Sequence, residues 1–127
     1  MRFSEFLEVT GVNDKTLEKV KKDGLALRFV VEQTPAICLA AVKQNVYALE
    51  YVREQTPEIC MGAVRRAGYV LRYVKDQTPE ICLAAVKKDG YALGYVKEQT
   101  LEICLAAVKQ NVDALKYVDK SIFTPEE

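Results

Sequence analysis

The sequence predicts an all-α chain, an α-solenoid of about five short two-helix repeats, and three observations carry that prediction. Four cysteines, Cys38, Cys60, Cys82 and Cys104, recur every 22 residues. Whole columns of other residues keep the same step: Val20, Val42, Val64, Val86 and Val108; Leu27, Leu49, Leu71, Leu93 and Leu115; Gln33, Gln55, Gln77 and Gln99. Each period also holds two short apolar-patterned segments divided by a turn. Neither segment is long enough to bury its apolar face except against a neighbouring unit.

In chain order, residues 1–11 form an N-terminal capping segment, and Phe3, Phe6, Leu7 and Val9 are expected to cover the first repeat from a short helix capped by Ser4. Repeats follow at about 12–33, 34–55, 56–77, 78–99 and 100–121, the first of them degenerate, and residues 122–127 form a tail. The segment from Lys120, with Phe123 folded back, is expected to cover the last repeat. All 127 residues fit one domain.

Within a repeat, Thr-Pro-Glu at 56–58 and 78–80 is a helix start. Thr caps, Pro takes the first helical position, and Glu meets the positive end of the dipole. Ile-Cys-Leu-Ala-Ala-Val is apolar on nearly every side, so this first helix is expected to be buried on most faces. Lys43, Arg65, Lys87 and Lys109 close it at the negative end. A turn follows at Asp23-Gly24, Asn45-Val46, Ala67-Gly68, Asp89-Gly90 and Asn111-Val112, where Gly suits a left-handed C-cap and the two Val repeats must turn differently. The second helix is read as roughly Tyr-Ala-Leu-x-Tyr-Val-Lys-Glu, with Ala48, Tyr51 and Val52 at amphipathic spacing. The next Thr-Pro ends it.

The stretch Thr-Pro-Glu-Ile-Cys-Leu-Ala-Ala-Val-Lys-Lys-Asp-Gly-Tyr-Ala-Leu at 78–93 resembles the repeat signature of a bacterial and viral family of unknown function built from tandem short helical repeats. The resemblance covers about 12–121 and implies the fold class; it brings no catalytic residues with it. Departures are Leu101 in place of Pro, Met61-Gly62 in place of Leu-Ala, and Val46 and Val112 in place of Gly.

Composition narrows the function. The chain has no histidine, which removes Ser-His-Asp and Cys-His catalysis and imidazole metal sites. Lys plus Arg and Asp plus Glu are 18 each, so no net charge draws the protein to nucleic acid or to an anionic membrane. No apolar run approaches a membrane span, and Met1–Glu8 carries no signal-peptide pattern, so the expected compartment is the cytoplasm. Cysteines at equal 22-residue steps sit about 9–10 Å apart if repeats stack at helix-packing distance, too far for disulfides and unlike zinc spacing. They read as buried small hydrophobes. No one-off polar constellation stands outside the repeats, so neither an enzyme nor a cofactor or metal site is expected.

Two tyrosine columns remain. Phe29, Tyr51, Tyr73, Tyr95 and Tyr117 tolerate loss of the hydroxyl and are expected in the core. Tyr47, Tyr69 and Tyr91 share a column with Leu25 and Asp113, and a position that accepts Asp is expected at the surface. Those three, with Arg53, Arg65, Arg66 and Arg72 of the middle repeats, form the candidate protein-binding set, since Tyr and Arg are favoured at interfaces. Lys21, Lys22, Lys43, Arg65, Arg66, Lys87, Lys88 and Lys109 make a basic row at the ends of the first helices. The expected function is a non-catalytic protein-interaction module, most specifically a small inhibitor such as an immunity protein or phage-type blocker acting on a protein such as a toxin or nuclease. The alternatives are nucleic-acid binding through the basic row and a structural, self-assembling repeat. A monomer or weak homo-oligomer with no membrane partner is expected.

Overall fold

The computed structural model of the protein describes residues 1–10 and 12–125, without the side chains of Leu7, Glu8, Thr10, Val12 and Asn13. Every regular element among the described residues is helical. Six α-helices run over Phe3–Thr10 (α1), Val12–Lys22 (α2), Pro35–Gln44 (α3), Pro57–Arg66 (α4), Pro79–Lys88 (α5) and Leu101–Gln110 (α6). Between and after them lie 3₁₀ helices at Gly24–Phe29 (η1), Val46–Tyr51 (η2), Gly68–Tyr73 (η3), Gly90–Tyr95 (η4), Val112–Tyr117 (η5) and Lys120–Ile122 (η6). The chain packs as two compact units, Met1–Glu54 and Gln55–Glu127.

Helices α3 to α6 start where the sequence places them. Oγ1 of Thr34, Thr56, Thr78 and Thr100 accepts from the backbone N–H of Ile37, Ile59, Ile81 and Ile103 at 3.2–3.3 Å. Pro35, Pro57 and Pro79 occupy the first turn, where no N–H is needed. Leu101 replaces Pro without loss of the cap, because the Thr hydroxyl makes that bond. Thr78→Ala should cost about 1 kcal/mol in chemical denaturation, because the Ile81 N–H at the start of α5 is left to water alone.

The second helices differ from the sequence reading in type and length. Each repeat carries one six-residue 3₁₀ helix that stops at Phe29, Tyr51, Tyr73, Tyr95 or Tyr117, well before the next Thr-Pro. Asp23, Asn45, Asp89 and Asn111 begin four of them: each side chain accepts from the N–H two residues on, at 3.0–3.2 Å. This Asx capping favours a tight turn over continued α-helix. The residues between the two helices have extended backbone, φ −142° at Asp23 and −148° to −152° at Asn45, Ala67, Asp89 and Asn111. The left-handed glycine C-cap is therefore not used. Glycine is needed for closeness instead: a Cβ on Gly90 would lie 2.5 Å from the carbonyl oxygen of Ala107 in α6. Gly24 faces Ala41 and Gly68 faces Ala85 in the same way. Val112 is tolerated because it lies in the last repeat, where it is exposed.

Stacking buries what a single repeat cannot. In the first unit α2 packs on α3 and η1 on η2; in the second α4, α5 and α6 stack in order, with η3, η4 and η5 stacked beside them. Ile37, Ala41, Leu27 and Leu49 form the core of the first unit, and Ile59, Val64, Leu71, Ile81, Val86, Leu93 and Ile103 that of the second. The ends are less covered than the sequence suggests. Ser4 lies inside α1 and does not cap it. Phe3 and Phe6 stack on each other with centroids 6.2 Å apart and stay largely exposed, as does Val9. Leu7 lies outside the described side chains. Phe123 is also exposed, and Leu115 is 57% exposed whereas its counterparts Leu71 and Leu93 are fully buried. No helix among the described residues is long and apolar enough to cross a membrane.

Candidate functional site

The cysteine column is buried and unpaired, as its spacing implies, and it carries a polar function that the spacing hides. In the four repeats that carry one, the thiol donates to the side-chain carbonyl of the Gln five residues earlier: Cys38 to Gln33, Cys60 to Gln55, Cys82 to Gln77 and Cys104 to Gln99, at 3.2–3.6 Å. Burial pushes all four thiols above their ordinary value of 9.0, with Glu54, Asp76 and Asp119 adding to the rise at Cys38, Cys60 and Cys104, and Arg53 opposing it at Cys38. A raised value means less thiolate at any given pH. In the native protein at pH 8, a disulfide-exchange reagent should leave all four unlabelled; in guanidinium chloride all four should react. Rapid labelling of the native chain would refute their burial.

One tyrosine column lies where expected and the other does not. Tyr47, Tyr69 and Tyr91 are exposed at 44%, 38% and 37%, which agrees with a surface column. The other column is not core: Phe29, Tyr95 and Tyr117 are 69%, 41% and 39% exposed, and Tyr51 and Tyr73 are half-buried. The cause is the 3₁₀ helix. With three residues per turn, its first and fourth positions share an inward edge and its second and fifth an outward one; the third is also buried (Gly90, Ala92 and Leu93 in η4), and the sixth departs from the third's direction where the helix ends. Its second, fifth and sixth positions face outward, so both tyrosine columns share one surface.

In the second unit these positions build a strip of rings and cations. The Arg72 guanidinium lies over the rings of Tyr73 and Tyr95, 5.2 and 5.6 Å from their centroids. The Lys116 ammonium lies over Tyr91 and Tyr117 at 5.0 and 5.3 Å. Tyr91 and Tyr117 meet edge-to-face at 5.9 Å, and the Tyr91 hydroxyl donates to Asp113 Oδ2 at 3.2 Å. Gly94 makes room, since a Cβ there would come within 3.2 Å of the Tyr117 ring. In the first unit Arg28 sits over Phe29 at 4.6 Å.

Of the sequence-predicted set, the structure thus draws Arg72 and Tyr91 into this strip, with Tyr69 exposed on η3 and Tyr47 exposed on η2 of the other unit. Arg53 serves its own unit: its guanidinium donates to the carbonyls of Val30 (3.1 Å) and Val31, tying down the preceding loop. Lys97 does the same with the carbonyl of Lys75 at 3.4 Å. Arg65 and Arg66 project from the last turn of α4, exposed like most of the basic row. Tyr73, Tyr95, Tyr117, Lys116 and Gly94 lie outside the predicted set. A three-residue period in the second segment would have put Tyr69 with Arg72, Tyr91 with Gly94 and Asp113 with Lys116 on one edge.

Comparison with known proteins agrees with the repeat. No curated protein and no solved structure matches the chain. A family model matches twice in overlapping register, over residues 56–100 and 78–123, two successive pairs of repeats that together span more than half of the chain. The chain belongs to the family described as Domain of unknown function (DUF4116).

Proposed function

We propose that the protein is a non-catalytic protein-interaction module that binds its partner through the outward edge of its 3₁₀ helices. The observation that carries this reading is the strip of Tyr69, Arg72, Tyr73, Tyr91, Tyr95, Lys116 and Tyr117. Tyrosine and arginine held at the surface in fixed geometry offer large contact area at small entropic cost, the composition of interface hot spots. Rigid repeats favour such a role because stacked neighbours hold the strip before binding. The most specific form of the proposal is a small inhibitor that occludes another protein, of the immunity-protein or phage-blocker kind, working in the cytoplasm.

Affinity capture from source cells, with the tag after Glu127, tests this. One stoichiometric protein should be retained by the wild type and lost from a Tyr91→Ala, Tyr95→Ala double variant, an effect of at least tenfold if these are hot spots of about 2 kcal/mol. Capture unaffected by the double variant removes the strip from the function. Recovery of nucleic acid alone, released by salt and lost in an Arg65→Glu, Arg66→Glu variant, would assign the function to the basic row instead.

A further inference from the structure

We propose that the strip on the second unit docks an acidic segment of the partner, with Arg72 and Lys116 as the two carboxylate anchors. The inference rests on the protein-interaction reading above and adds the chemical class of what is bound. Both cations are exposed, and both are held over pairs of tyrosine rings. Among the described residues neither makes a hydrogen bond or an ion pair. Their positive charge is oriented by the rings, and no described carboxylate stands within ion-pair distance of it, although Asp113 belongs to the same strip. Arg53 and Lys97, by contrast, use their side chains on backbone carbonyls.

Cation–π placement leaves guanidinium and ammonium N–H groups pointing outward, where a carboxylate can accept them. The strip already holds one carboxylate, though through a ring hydroxyl and not through a cation: Asp113 accepts from the Tyr91 hydroxyl. Tyrosine edges and hydroxyls thus join the cations as donors. Single-stranded nucleic acid fits less well, because base stacking needs free ring faces and the cations already cover a face of Tyr73, Tyr91, Tyr95 and Tyr117. The chain's zero net charge removes the long-range pull that a polyanion would need.

The geometry also sets a spacing. Arg72 and Lys116 occupy equivalent positions of η3 and η5, two repeats apart. At ordinary helix-packing distance that separation is roughly 16–20 Å, which an extended peptide covers in about five or six residues. Gly94 stands between them in the row, and the space a side chain would take there is filled by the Tyr117 ring.

The test uses the full chain, labelled with nitrogen-15, titrated with a twelve-residue peptide alternating glutamate and leucine. Its controls are the same peptide with glutamine for glutamate, and a twelve-residue oligo(dT). The glutamate peptide should bind at least fivefold more tightly than the glutamine one and shift the amides of residues 68–73, 90–95 and 112–117. Arg72→Gln and Lys116→Gln should each weaken it severalfold, while Arg65→Gln, which removes the same charge elsewhere, should not. Asp113→Asn should strengthen binding by relieving like-charge repulsion. The variants lie at exposed positions, and unchanged thermal melting will show that they fold. Equal binding of the two peptides, shifts mapped away from the three 3₁₀ helices, or tighter binding of oligo(dT) each overturns the proposal. A cellular partner that needs the strip but presents a basic or neutral segment removes the acidic class alone. Peptide binding without any strip-dependent cellular partner removes the functional reading instead.

Discussion

Gly90→Ala is expected to destabilise the protein by about 3 kcal/mol, at the upper end of what overpacking costs, although it adds a single methyl group to a helix start. The new Cβ would sit 2.5 Å from the backbone oxygen of Ala107 and 3.0 Å from Gln110 Oε1. That Gln110 oxygen accepts from the Gly90 N–H at 2.6 Å, so the methyl group intrudes on both the contact and the hydrogen bond that join η4 to α6. The Gln110 side chain can swing aside at the cost of its hydrogen bond, but the Ala107 carbonyl is helix backbone and cannot yield cheaply. The repeats must separate, and separation exposes Leu93 and Ala107. Gly62→Ala supplies the control. Gly62 lies inside α4, and a Cβ there would meet nothing within 4 Å, so the same change should stabilise by about 1 kcal/mol through helix propensity alone. Denaturant unfolding of the two variants should move in opposite directions. A Gly90→Ala variant as stable as the wild type would mean that the repeats are not packed at this distance.

The contrast between these glycines shows what the sequence could reveal. A 22-residue period in so many columns requires that every repeat meet its neighbours alike, so repeat number, order and the buried Ile, Cys, Val and Leu positions were readable from the columns themselves. Thr-Pro-Glu was readable for a different reason: capping is local, and a hydroxyl three residues before an N–H acts the same in any fold. Gly68 and Gly90 stood out in the sequence, but for the wrong cause. A glycine after a helix fits both a left-handed turn and a close approach, and only the position of the next α-helix distinguishes them.

The type of the second helix is hidden in the sequence for a related reason. Over six residues an α-helical pattern and a 3₁₀ pattern share the positions i and i+3, and the choice between them is made by the Asx cap and by packing. Once that choice is made, the second tyrosine column joins the first at the surface, and Tyr73, Tyr95 and Tyr117 become part of the strip. The pairing of Lys116 and Arg72 with rings was hidden because adjacency across repeats depends on the stacking offset: Tyr91 meets Tyr117 of the following repeat, 26 residues away, as well as its column mate Asp113. The glutamine column was visible as a repeat marker, but nothing in one repeat's sequence announces partners in the next.

Those partners make Gln77 a polar tie between successive repeats of the second unit. Its Nε2 donates to the carbonyl of Tyr95 at 2.8 Å and to that of Leu71 at 3.5 Å. Its Oε1 accepts from the Lys97 N–H at 3.0 Å and from the Cys82 thiol at 3.5 Å. One amide therefore pairs like a short β-ladder with the backbone at the end of the next repeat's 3₁₀ helix, and Gln33, Gln55 and Gln99 do likewise toward Tyr51, Tyr73 and Tyr117. Gln77→Leu keeps the volume and removes every one of these bonds. It should cost about 2 kcal/mol, less than full burial would give, because water reaches the Tyr95 and Lys97 groups. Gln77→Glu is more discriminating. At neutral pH it sets a carboxylate against two carbonyl oxygens and should cost more than Leu. Protonation restores a donor, so the carboxyl should sit above the ordinary glutamate range in the folded state. A group raised on folding stabilises fully below its unfolded value and loses that contribution as pH rises through the folded one. Denaturation midpoints measured from pH 4 to pH 7.5, each compared with wild type, should show Gln77→Glu recovering toward pH 4 and Gln77→Leu unchanged in its deficit. Parallel behaviour of the two variants would show that the Nε2 bonds to the neighbouring repeat do not hold the stack together.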